Sequence, residues 1–337
     1  MLLGLLKKYW FLLGILVAGT LGTLLPQAAS LLNPRSLATN GIVVVLFVIT
    51  GLSLPTDTIW KGIRDARLHL YLQLFIFVVT PAYFLGTLAL LRGVLPETFN
   101  LGILALACLP TTVSSCIVFT QSAGGNAVGA MFSATLANSL GVLISPLLLS
   151  FVLKGAHRAL PPSEVARILL NLGLTILIPF AVGQLIRLLF ARGFASRRRA
   201  ELGVVSNCLI LVIIFFAFGK SARGGLFRDS ALDLLLPLSY LALSHLLLML
   251  ASYAGARLLR LSAENRIAAL FVAPQKTVAM GLPLLSAYFA SSPDILAAAI
   301  LPLLFYHAFQ LLVAGVVRGS PLMARIRRGR PAAGGPA

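Results

Sequence analysis

Residues 271–280 read FVAPQKTVAM and lie inside an otherwise apolar run from Ile267 to Phe289. The run is long enough to cross a bilayer. At its centre stand a proline, a glutamine and a lysine. Proline has no N–H and its ring crowds the carbonyl four residues earlier, so a helix kinks or breaks there. Lys276 sits about ten residues from either end of the run, too deep to snorkel to the headgroups, and an ammonium at that depth costs roughly 2.5–3.5 kcal/mol on insertion scales. A breaker and a charge together at mid-depth mark a candidate site rather than a plain span.

The rest of the chain sets this run in context. Its 337 residues are 59% hydrophobic and 11% charged, with mean hydropathy +0.98. Such a composition excludes an ordinary soluble domain and points to an all-α polytopic membrane protein. Ten transmembrane helices are expected, at about 9–31, 38–55, 68–91, 100–122, 126–153, 165–190, 202–219, 234–259, 266–290 and 294–318. The first of them follows Lys7 and Lys8 and ends near small residues, as a signal peptide would. Its apolar part, from Tyr9 to Leu25, is long for a signal h-region and reads as a span.

The formal net charge of +18 does not imply a nucleic-acid partner, because the basic residues fall in short loops. With the N-terminus in the cytoplasm, 18 of the 27 Lys and Arg lie on the cytoplasmic side and 8 outside, with Lys276 alone in the membrane. That asymmetry places both termini inside and makes the number of spans even. Trp10 and Trp60, near span ends, read as interface anchors. Cys108, Cys116 and Cys208 have no CxxC spacing, which argues against zinc and against a disulfide framework. The Ala-, Leu-, Gly- and Arg-rich composition and the lack of an organelle signal point to a prokaryotic cytoplasmic membrane.

Five spans per half is an odd number, so two related halves must cross the membrane in opposite senses, as inverted repeats do. The expected halves are 1–155 and 156–320, followed by a basic, then Pro/Gly/Ala-rich tail, 321–337, that reads as disordered. Pro110, in LPTTVSSC, breaks the fourth span 164 residues before Pro274 breaks the ninth. Pro81, Pro146 and Pro179 also lie within spans, and tolerated kinks are the plain alternative. Only spans four and nine combine the break with a dense polar cluster: Thr111, Thr112, Ser114 and Ser115 in one, Gln275, Lys276 and Thr277 in the other.

The carbonyls freed by the two prolines belong to Leu106 and Leu270. Hydroxyls, cations or an ammonium can satisfy them. All nine acidic residues fall in loops or at span ends, so Lys276 has no obvious carboxylate partner and must lean on carbonyls, hydroxyls and Gln275. Either it takes part in solute or proton handling, or it merely ties the helices together. If the two broken helices cross, their carbonyl ends attract cations and their N–H ends attract anions. Gln73, Ser133 and Asn138 either face the breaks or act as interhelical hydrogen-bond glue. His307 and Gln310, one turn apart in the last span, share a face. His245 stands alone and reads as a packing residue, with no second histidine or carboxylate to complete a metal site.

At LPTTVSSCIVFTQSAGGNAVGAMFSATLANSLGVLISPLL (109–148) and FVAPQKTVAMGLPLL (271–285) the chain resembles the bile acid:sodium symporter superfamily. It is most similar to the SBF-like branch that includes solute carrier family 10 member seven. The resemblance implies ten helices in two inverted five-helix repeats. Spans one, two, six and seven would form a panel domain. The remaining spans would form a core domain in which spans four and nine are unwound and cross. Solute would bind in the cavity between panel and core, and movement of one against the other would give alternating access.

Sodium coupling does not carry over. The resemblance puts Phe271 where the bile-acid branch has a ligand glutamate, and Lys276 where it has the asparagine after the matching glutamine, Gln275. Ser115 matches a ligand serine, but the asparagine after it is Cys116 here, and two hydroxyl ligands align with Ala130 and Ala134. The expectation is that the Lys276 ammonium takes the place of one sodium ion, with coupling to protons or none.

The leading reading is a secondary transporter of an organic, anionic solute, with no cofactor beyond sodium or a proton as coupling ion, and with the solute and the lipid bilayer as partners. A proton or cation exchanger is an alternative that the absence of intramembrane carboxylates counts against. A non-transporting regulator is another, since the eukaryotic relative is tied to calcium handling. No GxSxG, HExxH or paired aspartates suggest an enzyme.

Overall fold

The computed structural model describes residues 2–53, 65–155, 173–191, 197–224, 231–289 and 293–320, with 170, 193, 323 and 326. Trp60, the first residues of the expected second half and most of the expected tail lie outside them. The described residues are mostly helical, with no strand among them.

The first half runs α1 (Leu2–Leu24), α2 (Pro26–Leu32), α3 (Leu37–Ser53), α4 (Ala66–Leu74), α5 (Thr80–Leu90), α6 (Glu97–Ala107), α7 (Ser114–Ser122) and α8 (Ala127–Gly155). The second runs α9 (Ile178–Ile186), α10 (Arg199–Gly224), α11 (Ala231–Leu258), α12 (Ala263–Val272), α13 (Val278–Tyr288) and α14 (Pro293–Val317). Among the described residues, 6 helices are long and apolar enough to cross a membrane, or up to 7 if the bent pair α1–α2 is one span. Many of their large side chains, such as Leu16, Leu90, Phe151 and Leu258, are exposed. Apolar faces of this extent suit hydrocarbon, where there is no hydrophobic drive to hide them.

Two long apolar segments are interrupted where expected. The fourth leaves the helix after Ala107 and re-enters it at Ser114; the ninth leaves after Val272 and re-enters at Val278. Other departures were not expected. The first span, read as 9–31, turns through 97° between Leu24 and Pro26. Pro26 starts α2, with Leu25 in a non-helical conformation before it, as the crowding of the residue preceding proline favours. Between α4 and α5 lies a π-helical turn, Phe75–Val79. Of the expected tail, Met323 and Ile326 are described, and both are buried in a cluster with Ile267, Phe271 and Val313.

α1 packs along α10 and α3 along α9. Both crossings bring backbones together through glycine. A Cβ at Gly51 would run into the Phe180 carbonyl and one at Gly183 into the Val48 carbonyl. At the other crossing, Gly22 of α1 lies against the Phe215 carbonyl of α10, and Gly219 of α10 lies against Ala29 of α2. α6 and α13 pack against α14, and α7 and α8 against α12, while α13 also packs on α3 and α10 on α14.

Candidate functional site

The two interruptions meet, and backbone bonds link them. Thr277, in an extended conformation (φ −95°, ψ 126°), donates its N–H to the Pro110 carbonyl at 3.0 Å. In return the Thr111 hydroxyl donates to the Val272 carbonyl at 2.6 Å. Asn138 on α8 donates to the Thr111 carbonyl at 2.8 Å. The Thr112 hydroxyl donates to Gln275 Oε1, and Ser115 reaches the same oxygen at 3.0 Å. The polar residues of each break thus serve the unpaired backbone of the other, which hydrocarbon could not do.

Lys276 is fully buried at this junction. Its Nζ donates to the carbonyls of Leu109 at 2.7 Å, Ala107 at 3.0 Å and Ile76 at 3.3 Å. Three acceptors match the three N–H bonds of an ammonium. All three are carbonyls, though not those of Leu106 and Leu270 that the prolines free. Leu106, whose carbonyl Pro110 frees, is served instead by the Leu109 N–H at 3.2 Å, because the chain tightens to three-residue bonds as it leaves α6. Ile76 comes from the π-helical turn, where Thr80 donates back five residues to Phe75. In that register residue 81 would serve Ile76, and Pro81 has no N–H to give.

The backbone of Lys276 is held as firmly as its side chain. Its N–H donates to Gln310 Oε1 at 2.8 Å, and Gln310 Nε2 donates to its carbonyl at 2.8 Å. His307 lies 2.9 Å from Gln310 Nε2. Tyr306 donates to the Pro274 carbonyl at 2.8 Å; sequence reasoning missed it, though it adjoins His307 in the same YHAFQ stretch.

Gln73 and Ser133 form a separate knot. Gln73 Nε2 donates to the Ser133 carbonyl at 3.0 Å, and the Ser133 hydroxyl lies 2.7 Å from His69 Nδ1. These bonds join α4 to α8. His245 packs edge-on against Tyr306, with ring centroids 5.0 Å apart.

Beside the junction opens a cleft with room for about 320 Å³ of water. Thr112, Ser114, Ser115, Asn138, Thr277 and His307 line one wall; Phe11, Thr50, Ser53, Ser206 and Asn207 line the other. Among the described residues, the lining holds no lysine, arginine or carboxylate. Lys276 is not among these lining residues. What faces the cleft are the first turns of α7 and α13, at Ser114 and Val278, whose leading N–H groups have no partner within the helix.

Interrupted helices joined at mid-length, beside a polar cleft, are the architecture of secondary transporters. Residues 9–321 match the SBF-like CPA transporter family, and the chain belongs to it, within the SBF-like branch of the bile acid:sodium symporter superfamily. It is 30% identical over 323 residues to sodium/bile acid cotransporter 7 of Danio rerio, covering 92% of this chain and 93% of that one. It is 28% identical to the Mus musculus protein of the same name, over 92% of each chain. It is 32% identical to the protein PA2026 of Pseudomonas aeruginosa, over 91% of each. The chain is accordingly an integral membrane transporter, not an enzyme.

Proposed function

We propose that this protein carries an organic, anionic solute by alternating access, with the Lys276 ammonium standing in the place of a sodium ion where the two broken helices meet. The observation that carries the reading is the trio of carbonyls around Nζ, a coordination that a metal cation would otherwise receive. The positions at which the bile-acid branch has oxygen ligands agree with it. Phe271 is buried and stacked on Phe119, and Cys116, Ala130 and Ala134 are all buried.

On this reading the ten spans form two inverted five-helix repeats, 1–155 and 156–320, with both termini in the cytoplasm. The exchanged pairing of α1 with α10 and α3 with α9, each through a glycine contact, supports it, since inversion turns one crossing into the other. Spans one, two, six and seven make the panel; the cleft lies between panel and core and opens to the cytoplasm. The two half-helix N-termini at Ser114 and Val278 favour a negatively charged group on the solute. Gln275, Ser115, Thr112, Asn138 and Thr277 would bind it or hold its binders in place. Coupling runs through a proton on Lys276 or is absent.

Reconstituted liposomes test this directly. The name of the relatives makes a bile acid the first solute to try, with sodium and proton gradients imposed one at a time. Uptake of an organic anion without sodium dependence is the expected result. Strict sodium dependence, with Lys276→Ala unimpaired, would sink the proposal.

A further inference from the structure

The C-terminal end of α11 has an arginine where a glycine is usual. The Leu261 N–H bonds back to the Ala256 carbonyl at 3.0 Å and the Arg260 N–H to the Arg257 carbonyl at 3.0 Å. These two bonds define a Schellman stop, in which the residue before Leu261 must take a left-handed conformation. That residue is Arg260, with φ 55°. A side chain there carries strain that glycine would not. The helix dipole favours a cation near this end, but Arg257, one turn earlier, already supplies one.

Both arginines are exposed, and among the described residues neither pairs with a carboxylate. Together with Tyr253, Ala254 and Leu258 they line an open cleft with room for about 410 Å³ of water. The helix leading to it spans the membrane, and its outward leucines, Leu250 and Leu258, are 61% and 83% exposed. An apolar helix face thus runs up to two guanidiniums that, among the described residues, have no carboxylate partner, at the end of a helix long enough to span the membrane. Guanidinium forks suit phosphate oxygens.

We infer that the Tyr253–Arg257–Arg260 cleft binds the headgroup of an anionic phospholipid, with its acyl chains along the leucine face of α11 and Arg260 kept in a strained position for that contact. The site is separate from the solute cleft and does not depend on which solute is carried.

The test uses the full chain in nanodiscs of phosphatidylcholine with or without phosphatidylglycerol. Retained lipid is read by native mass spectrometry and unfolding by a thermal ramp. Phosphatidylglycerol should raise the unfolding midpoint of the wild type. Arg257→Gln should weaken its retention about fivefold, and Arg257→Gln with Arg260→Gln about 25-fold, the factor per charge expected at an anionic surface. Arg260→Gly separates the two roles. It should raise the midpoint in pure phosphatidylcholine by relieving the backbone, and should weaken phosphatidylglycerol retention. Unchanged retention in the double variant would overturn the inference. So would an equal loss in an Arg197→Gln, Arg198→Gln control, which would mean general surface charge, or the same midpoint shift from inorganic phosphate alone, which would mean a free anion.

Discussion

Lys276 is the residue on which the crossover turns. Removing its side chain leaves the carbonyls of Ile76, Ala107 and Leu109 in a closed site without a donor, and each unmet buried acceptor costs about 1–3 kcal/mol. Lys276→Ala should therefore unfold several degrees below the wild type. If the ammonium stands where a cation would, that variant should gain thermal stability from sodium over N-methylglucamine, while the wild type should not. A variant that sodium leaves unchanged would break the equivalence between amine and ion. Gln310 makes the second half of the clamp. Gln310→Leu strips both hydrogen bonds from the Lys276 backbone and should cost about 2 kcal/mol or more, measured by chemical unfolding in detergent. Lys276 and Gln310 were legible in the sequence because a charge and an amide in an apolar run stand out. The role of Pro81 was not. It reads as one more tolerated kink until the π-helical turn shows that its missing N–H leaves Ile76 to the ammonium.

At the scale of elements, the glycine crossings are the firmest contacts between helices. Gly183→Val would push a side chain into the Val48 carbonyl, and backbone yields less readily than a flexible side chain. A loss of about 1–3 kcal/mol is expected, as for other overpacked contacts. Gly86 provides the contrast, since nothing lies within 4 Å of its would-be Cβ. Gly86→Ala should be neutral or stabilising by up to about 1 kcal/mol, on helix propensity alone. Differential scanning of the two variants side by side checks both signs. Composition reveals none of this, because a glycine at a crossing and a glycine facing lipid look alike in an apolar run. The bend at Pro26 was hidden for a related reason: a proline close to the end of a hydrophobic stretch is compatible with a span ending, kinking or turning aside.

For the whole molecule, the broken fourth and ninth spans were legible because polar clusters in both fall at matching distances along the chain. Which carbonyls meet which donors was not, since that depends on how α6, α12 and the π-helical turn come together in space. The cleft makes a prediction at this scale. In oriented vesicles, a cysteine at Ser206 should react with a membrane-impermeant maleimide from the side of the N-terminus, and a bound solute should slow it. A cysteine at Thr39, buried at the opposite end of α3, should stay protected until the transporter changes state. Labelling of Thr39→Cys as fast as Ser206→Cys would mean that no closed end exists.

A free ion enters a carrier, crosses and departs, and its departure is what links solute flow to an outside energy source. The amine at residue 276 is bound by its own carbon chain and can never depart. If it keeps its proton throughout the cycle, the carrier shuttles back as readily empty as full. Such a protein lets its solute run down the solute's own electrochemical gradient, and draws on no other gradient to accumulate it.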